Sequence, residues 1–400
     1  MRRLFWILLF TALLPRTLTA TVDNERWTVE PFTDALGGGP ATGPVEQAGE
    51  GAFLLCENGR DQLFLINGQF VDIVVEGQRY HLAGTGHPGM RDGPAPLAEF
   101  RFGFAGHLGA HDIACAPDGT LFVFDDGNAR VRRIRQTNGH WQVDTWVGGG
   151  QMRLAPGQAA PPGQVRLPNT TGIAVAGDGS LWLGSFTGYY RVDPEGRQIR
   201  FVARWPIELR KGRTLHVVMG RPATDGGVYF LSRSPDVVIR VDPDGQARHL
   251  AGRIIQGRKP MNIGDGEPLA SYFDTPSSLA VDPNGEALYL SGGDEYDIRR
   301  VPADGHGSTA TLAQNGRWQR ARLHPNRSRG AALYDPGLQG RLKPDGPLGD
   351  LMSCHLPGYD RLGRLYSFLY PWRGTTQYLA GKGLLGGRLY RLRRLEADAP

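Results

Sequence analysis

The chain has 400 residues, 40% of them hydrophobic and 21% charged, with 57 glycines, 29 prolines and a formal net charge of +5. Those proportions describe a globular protein rich in turns, with no stretch near the roughly 18 uninterrupted apolar residues a membrane-spanning helix needs. Three of the 45 Lys and Arg fall in the first twenty residues and none of the 40 Asp and Glu do, so the remainder is too nearly neutral for a nucleic-acid partner.

Residues 1–20 read as a secretory signal. Arg2 and Arg3 form a basic start, Leu4 to Leu14 an apolar run and Ala20 a small residue suited to cleavage. No cysteine follows the apolar run, so no lipid anchor is expected. The mature chain, 21–400, is expected to be a single secreted or periplasmic domain, and a monomer.

From residue 49 onward one pattern recurs. An apolar segment leads into a glycine turn, then a strand of alternating large residues, then an Arg-rich or aliphatic strand. The turn glycines are Gly59, Gly119, Gly179, Gly226, Gly285 and Gly363. The strands after them are QLFLIN (62–67), TLFVFD (120–125), SLWLGS (180–185), GVYFLS (227–232), ALYLSG (287–292) and RLYSFL (364–369). Third strands follow, among them VRRIR (131–135), YYRVD (189–193), VVIRVD (237–242) and DIRRV (297–301), several ending in Asp-Pro-x-Gly turns. Edge strands such as QVDTWV (142–147) and QARHLAG (246–252) complete the units.

Six units of four antiparallel strands predict an all-β, six-bladed β-propeller. The last unit ends at LYRLRRL (389–395) without a fourth strand, so RWTVEPF (26–32) is expected to complete the last blade and close the ring. A phrase between units, AGTGHPGMRDGPAPLAEF (83–100), recurs as AGRIIQGRKPMNIGDGEPLASYF (251–273), and residues 148–166 form a third copy without Asp-Gly. A long insertion, 317–352, separates units five and six and reads as a lid, a partner-binding loop or a disordered insertion. The arginines of 130–135 and 388–394 alternate with apolar residues and are expected to be solvated on outer strands, paired with nearby Asp. Three cysteines leave at least one unpaired. Cys56 and Cys115 lie in predicted strands, where each is expected to pack as a small hydrophobe.

The first strand of each blade lines the axis, so residues at its start converge on one mouth. Counting back eight from the turn glycines reaches Gly51 beside Glu50, His111, Thr171, Ser277 and His355, with His216 near the start of the fourth unit. Three imidazoles converging with an open fourth position would describe a catalytic zinc site, so His111, His216 and His355 are candidate metal ligands. Glu50, Asn169, Thr171 and Ser277 are candidate funnel residues.

The phrase 83–100, the apolar strand, the Asp-Gly turn and Asn128-x-Arg130-x-Arg132-Arg133-Ile134 resemble the NHL-repeat family of β-propellers, a resemblance covering most of 49–395. It implies the fold and leaves function open. The chain is also distantly similar to peptidyl-hydroxyglycine amidating lyases, which would imply His111, His216 and His355 as zinc ligands. Glu50-Gly51 and Pro168-Asn169 are similar to motifs of the gluconolactonase-like propellers, which would imply a divalent cation such as calcium. Pro276-Ser277-Ser278 departs from the Pro-Asn-Gly of that group. The expected function is a binding module for a protein, peptide or glycan at the central mouth. The alternative is a metal-dependent lyase or hydrolase in the same funnel, holding zinc or calcium.

Overall fold

The computed structural model describes residues 26–31, 55–57, 62–75, 78–103, 112–168, 170–209, 215–255, 265–273, 276–292, 297–313, 353–355, 365–369 and 388–395. The fold is an all-β propeller of antiparallel sheets. Strand β1 (Arg26–Pro31) comes first. Sheet 1 holds β2 (Leu55–Glu57), β3 (Leu63–Asn67), β4 (Phe70–Val75) and β5 (Gln78–Ala83) in sequence order. Sheet 2 holds β6 (Gly93–Pro94), β7 (Ile113–Cys115), β8 (Leu121–Asp125), β9 (Arg130–Thr137) and β10 (His140–Gly148), ordered 6-10-9-8-7. Sheet 3 holds β11 (Ala159–Ala160), β12 (Thr170–Val175), β13 (Leu181–Ser185), β14 (Gly188–Val192) and β15 (Ile199–Arg204), ordered 11-15-14-13-12.

Sheet 4 holds β16 (Val217–Pro222), β17 (Val228–Arg233), β18 (Asp236–Val241) and β19 (Ala247–Ala251). Sheet 5 holds β20 (Pro276–Val281), β21 (Ala287–Gly292), β22 (Asp297–Pro302) and β23 (Ala310–Ala313). In sheet 6, β1 pairs with β26 (Arg388–Leu395), which pairs with β25 (Leu365–Leu369) and then β24 (Ser353–His355). The β1–β26 register runs from Arg26↔Leu395 to Pro31↔Tyr390. The pairing expected of the N-terminal segment is therefore present.

The recurring glycine works as a turn residue. Gly119, Gly179, Gly226 and Gly285 adopt φ of 91°, 82°, 91° and 74°, a region that L side chains disfavour. The Asp just before the first three of them fixes the turn. Asp118, Asp178 and Asp225 accept hydrogen bonds from the backbone N–H two residues on, at 2.8, 2.9 and 3.1 Å. Both faces of β8 and β13 are buried along their whole length, because each sheet is covered by its neighbours.

Two sheets depart from the expected four strands. The phrase between units supplies a fifth, Gly93–Pro94 on β10 and Ala159–Ala160 on β15, and in sheet 5 Gly266 bridges Thr309 in the same manner. This covers an outer edge that would otherwise present free backbone groups. The Asp-Gly of the phrase also serves the arginines. Asp92 Oδ1 accepts from Arg132 Nε at 3.0 Å, and Asp265 Oδ1 from Arg299 Nη2 at 2.9 Å. Tyr190 stands at the ladder position of these two arginines in sheet 3, stacked on Phe201, where the phrase lacks Asp-Gly.

The expectation of solvated arginines over 130–135 holds for exposed Arg135, and the expected pairing with a nearby Asp holds for Arg133, which pairs with Asp144; it is corrected at Arg132. Arg132, Arg240 and Arg299 are buried inside the sheets. Arg132 also donates to Asp125 and to the carbonyls of Arg91 and Glu99, so its charge is spread over fixed acceptors in place of water. Residues 388–394 fall in β26, outside the described side chains.

The cysteine expectation is corrected as well. Cys56 and Cys115 form a disulfide, with Cα atoms 5.7 Å apart. Strands β2 and β7 are the axial strands of neighbouring sheets, and near the axis such strands approach closely enough for a bridge. A separation of 59 residues hid that proximity.

Candidate binding mouth

Alternating strand direction sets the starts of β2, β7, β12, β16, β20 and β24 at the corresponding end of their sheets, the end taken as the mouth. The inner strands share a local device there. Their ladders skip one residue near the start, namely Thr171, Val218, Ser277 and Cys354. Such a bulge bends the strand and re-aims its first residues.

Just below that level the axis is pinned by Asp112, which is fully buried. Its Oδ2 accepts from the N–H of Ile173 and of Gly220, each at 2.9 Å, and its Oδ1 from Ile113 N at 2.9 Å and Arg221 Nη1 at 3.3 Å. One carboxylate thus joins β7, β12 and β16. Burial pushes its pKa up from the usual carboxylate value, against the pull of Arg221 and the three N–H donors. Beside it, β12 and β16 touch backbone to backbone. A Cβ on Gly172 would lie 2.8 Å from Met219 C, and one on Gly220 2.7 Å from Ile173 C. Met219 Sδ accepts from Leu279 N at 3.3 Å, extending the contact to β20. These contacts tie β7, β12, β16 and β20 together along the axis.

Two described stretches shape the rim. On one side, Gln69 of sheet 1 holds the backbone of Phe102 through both amide atoms, at 3.0 and 2.9 Å. Asp125 and Asp126 of sheet 2 accept from Arg101 N and Gly103 N. Segment 101–103 is therefore clamped where it leads toward the entry to β7. On the other side, the His216 ring meets Phe186 edge-on at 5.0 Å. Its backbone is tied to the β17–β18 turn through His216 N to Ser234 O, 3.1 Å, and Arg233 N to His216 O, 2.9 Å. Trp205 donates Nε1 to Ser185 O at 2.6 Å and packs on Tyr189 and Phe230.

The structure brings part of the expected set into view. His216 is half-buried, one residue before β16. Ser277 is the bulge residue of β20, and its Oγ donates to Ser291 O at 3.3 Å. Thr171 is the bulge residue of β12, and His355 pairs with Phe368 one residue past the bulge of β24. The side chains of Thr171 and His355 are outside the described residues, as are Glu50, His111, Asn169, residues 1–20 and 317–352. His216 thus precedes the bulge of its strand by two residues and His355 follows that of its own by one, so the two hold different ladder levels. Among the described residues no three His, Cys, Asp or Glu form a group that could hold a metal. Sequence reasoning missed Asp112 and the glycines facing it. Its signal was an acid at the start of an axial strand, beside His111.

No family model matches the chain. It is 27% identical over 231 residues to Teneurin-m of Drosophila melanogaster, covering 48% of this chain and 8% of that protein, so it spans a small fraction of the relative's length. An auxiliary nutrient binding protein from Bacteroides thetaiotaomicron superposes with a TM-score of 0.53 at 12% identity, over 93% of this chain and 77% of that one. A streptogramin B lyase superposes with a TM-score of 0.46 at 8% identity, over 92% and 98%. The likeness to the nutrient-binding protein shows the propeller fold. Among the described residues, no helix is long and apolar enough to cross a membrane.

Proposed function

We propose that this chain is a secreted or periplasmic NHL-like propeller that binds a protein, peptide or glycan at its central mouth. In this reading the six sheets are six blades, with β1 as the outer strand that closes the ring. The observation that carries it is the Asp112 hub, which ties three inner strands together beneath strand starts that carry His216, edge-on to Phe186, and the bulge residue Ser277. A ring edge, an imidazole and a hydroxyl combine apolar contact with a few directed hydrogen bonds, the usual make-up of a recognition site. The disulfide supports an oxidising compartment. The nutrient-binding protein supports a binding role on this fold.

The test is to probe an array of glycans, peptides and secreted proteins with the mature chain and with a Phe186→Ala, His216→Ala double variant. The reading expects a reproducible ligand whose affinity falls at least about tenfold in the variant, or about 1.4 kcal/mol. Ligands that bind the variant equally well would place recognition elsewhere. Metal analysis of the same preparation decides the competing reading. Stoichiometric zinc or calcium, lost on His111→Ala with His355→Ala, would favour a metal-dependent lyase or hydrolase.

A further inference from the structure

Sheets 1 and 2 meet at the axis through β2 and β7, inner strands of three residues each. Sheets 3 and 4 join there by backbone contact at Gly172 and Gly220. Strands β2 and β7 contain no glycine, and their seam is joined covalently through Cys56 and Cys115. Strand β7 is consequently held at both ends. Asp112, just before it, fastens it to β12 and β16, and Cys115, its last residue, fastens it to β2. The two residues differ in exposure: Cys56 is 7% exposed, while Cys115 is only partly buried.

We propose that the Cys56–Cys115 bond is a redox-sensitive lock on the β2–β7 seam, opened by a dithiol reductant, and that the Asp112 hub confines the opening to sheets 1 and 2. A thiolate of the reductant attacks Sγ of Cys115, the more exposed residue. The sulfur–sulfur bond breaks with its electron pair on Cys56 Sγ, which then takes a proton. The second thiolate of the reductant attacks the mixed disulfide and releases the Cys115 thiolate, which is protonated in turn. The protein gains two thiols and the dithiol becomes a cyclic disulfide. The surrounding apolar contacts remain, since Phe64, Ile66, Ile113, Leu121 and Val123 stay buried in one cluster. The sheets therefore keep their shape while the seam gains freedom. This inference stands apart from ligand binding, because its readout needs no ligand.

The experiment is native-state amide exchange on the mature chain before and after dithiol treatment, with thiols counted by mass spectrometry. Reduction is expected to speed exchange in 55–57 and 113–115 by about tenfold and leave β16–β18 unchanged, reversibly on reoxidation. A Cys56→Ala, Cys115→Ala variant should reproduce the reduced pattern without reductant, and Cys354→Ser should not. Three outcomes overturn the proposal: an unchanged seam after the thiol count has risen by two, faster exchange throughout every sheet, or no disulfide in the purified chain.

Discussion

A carboxylate removed entirely from water is costly unless its charge is met at every oxygen. Asp112 meets that requirement with three backbone N–H groups and one guanidinium drawn from three sheets. Asp112→Ala would take the shared acceptor from those N–H groups and the carboxylate from Arg221, and is expected to cost about 3–5 kcal/mol in urea unfolding. Asp112→Asn, which keeps one acceptor, should cost less. A second residue-scale expectation concerns His249, whose Nε2 donates to Ala251 O at 3.1 Å. Burial holds its pKa below the usual 6.5 despite that bond. The folded chain then binds fewer protons than the unfolded one, so the stability His249 supplies is present above 6.5 and lost as pH falls through its folded value. Thermal unfolding between about pH 7.5 and 5 should decline less steeply in His249→Gln; an equal slope would refute this.

At the scale of elements, the bulge and the fifth strand carry the organisation. A skipped residue near the start of four inner strands turns each toward the mouth in the same way. The fifth strand combines edge protection with ion pairing, since Asp92, directly before β6, also accepts from Thr145 N on β10. Asp92→Ala should therefore destabilise sheet 2 by about 3 kcal/mol, because Arg132 would keep a buried charge with one carboxylate fewer. Adding Arg132→Met should recover part of that loss. A double variant as unstable as the sum of its parts would show that the pair is not coupled.

For the whole molecule, successive sheets are clasped through turn residues as well as through the axis. Tyr189 donates to Gly245 O and Tyr229 to Ala303 O, each reaching the next sheet at 2.9 and 3.2 Å. A Cβ on Gly196 would lie 2.2 Å from Trp146 of sheet 2. Sheet 6 differs in kind, since it pairs β1 with β26, strands more than 350 residues apart in the chain. Deleting residues 26–31 should lower the melting temperature by several degrees, on the order of 4–8 °C, and promote association through the bared β26 edge in size-exclusion chromatography. A truncated chain that melts and elutes unchanged would remove β1 from any role in closure.

Strand positions and turns were legible because their causes are local. Period-two patterning and a glycine that must take positive φ lie within a few residues of each other, as at Asp118-Gly119. The β1–β26 pairing was legible for a related reason: a unit short of one strand calls for another. The Asp112 hub, the Cys56–Cys115 bond and the Asp92–Arg132 pair were not, since they join residues 40 to 109 positions apart. Eight residues back from the turn glycine is the bulge at Thr171, Val218 and Ser277 alike, and His216 stands two residues before it, since the fourth unit's turn, 223–227, is no longer than 176–180 of the third. The sequence by itself determined a β-propeller built from repeated strands and turns. Only the tertiary structure decided what fills its axis, because that rests on which inner strands come close enough to share one carboxylate or one disulfide.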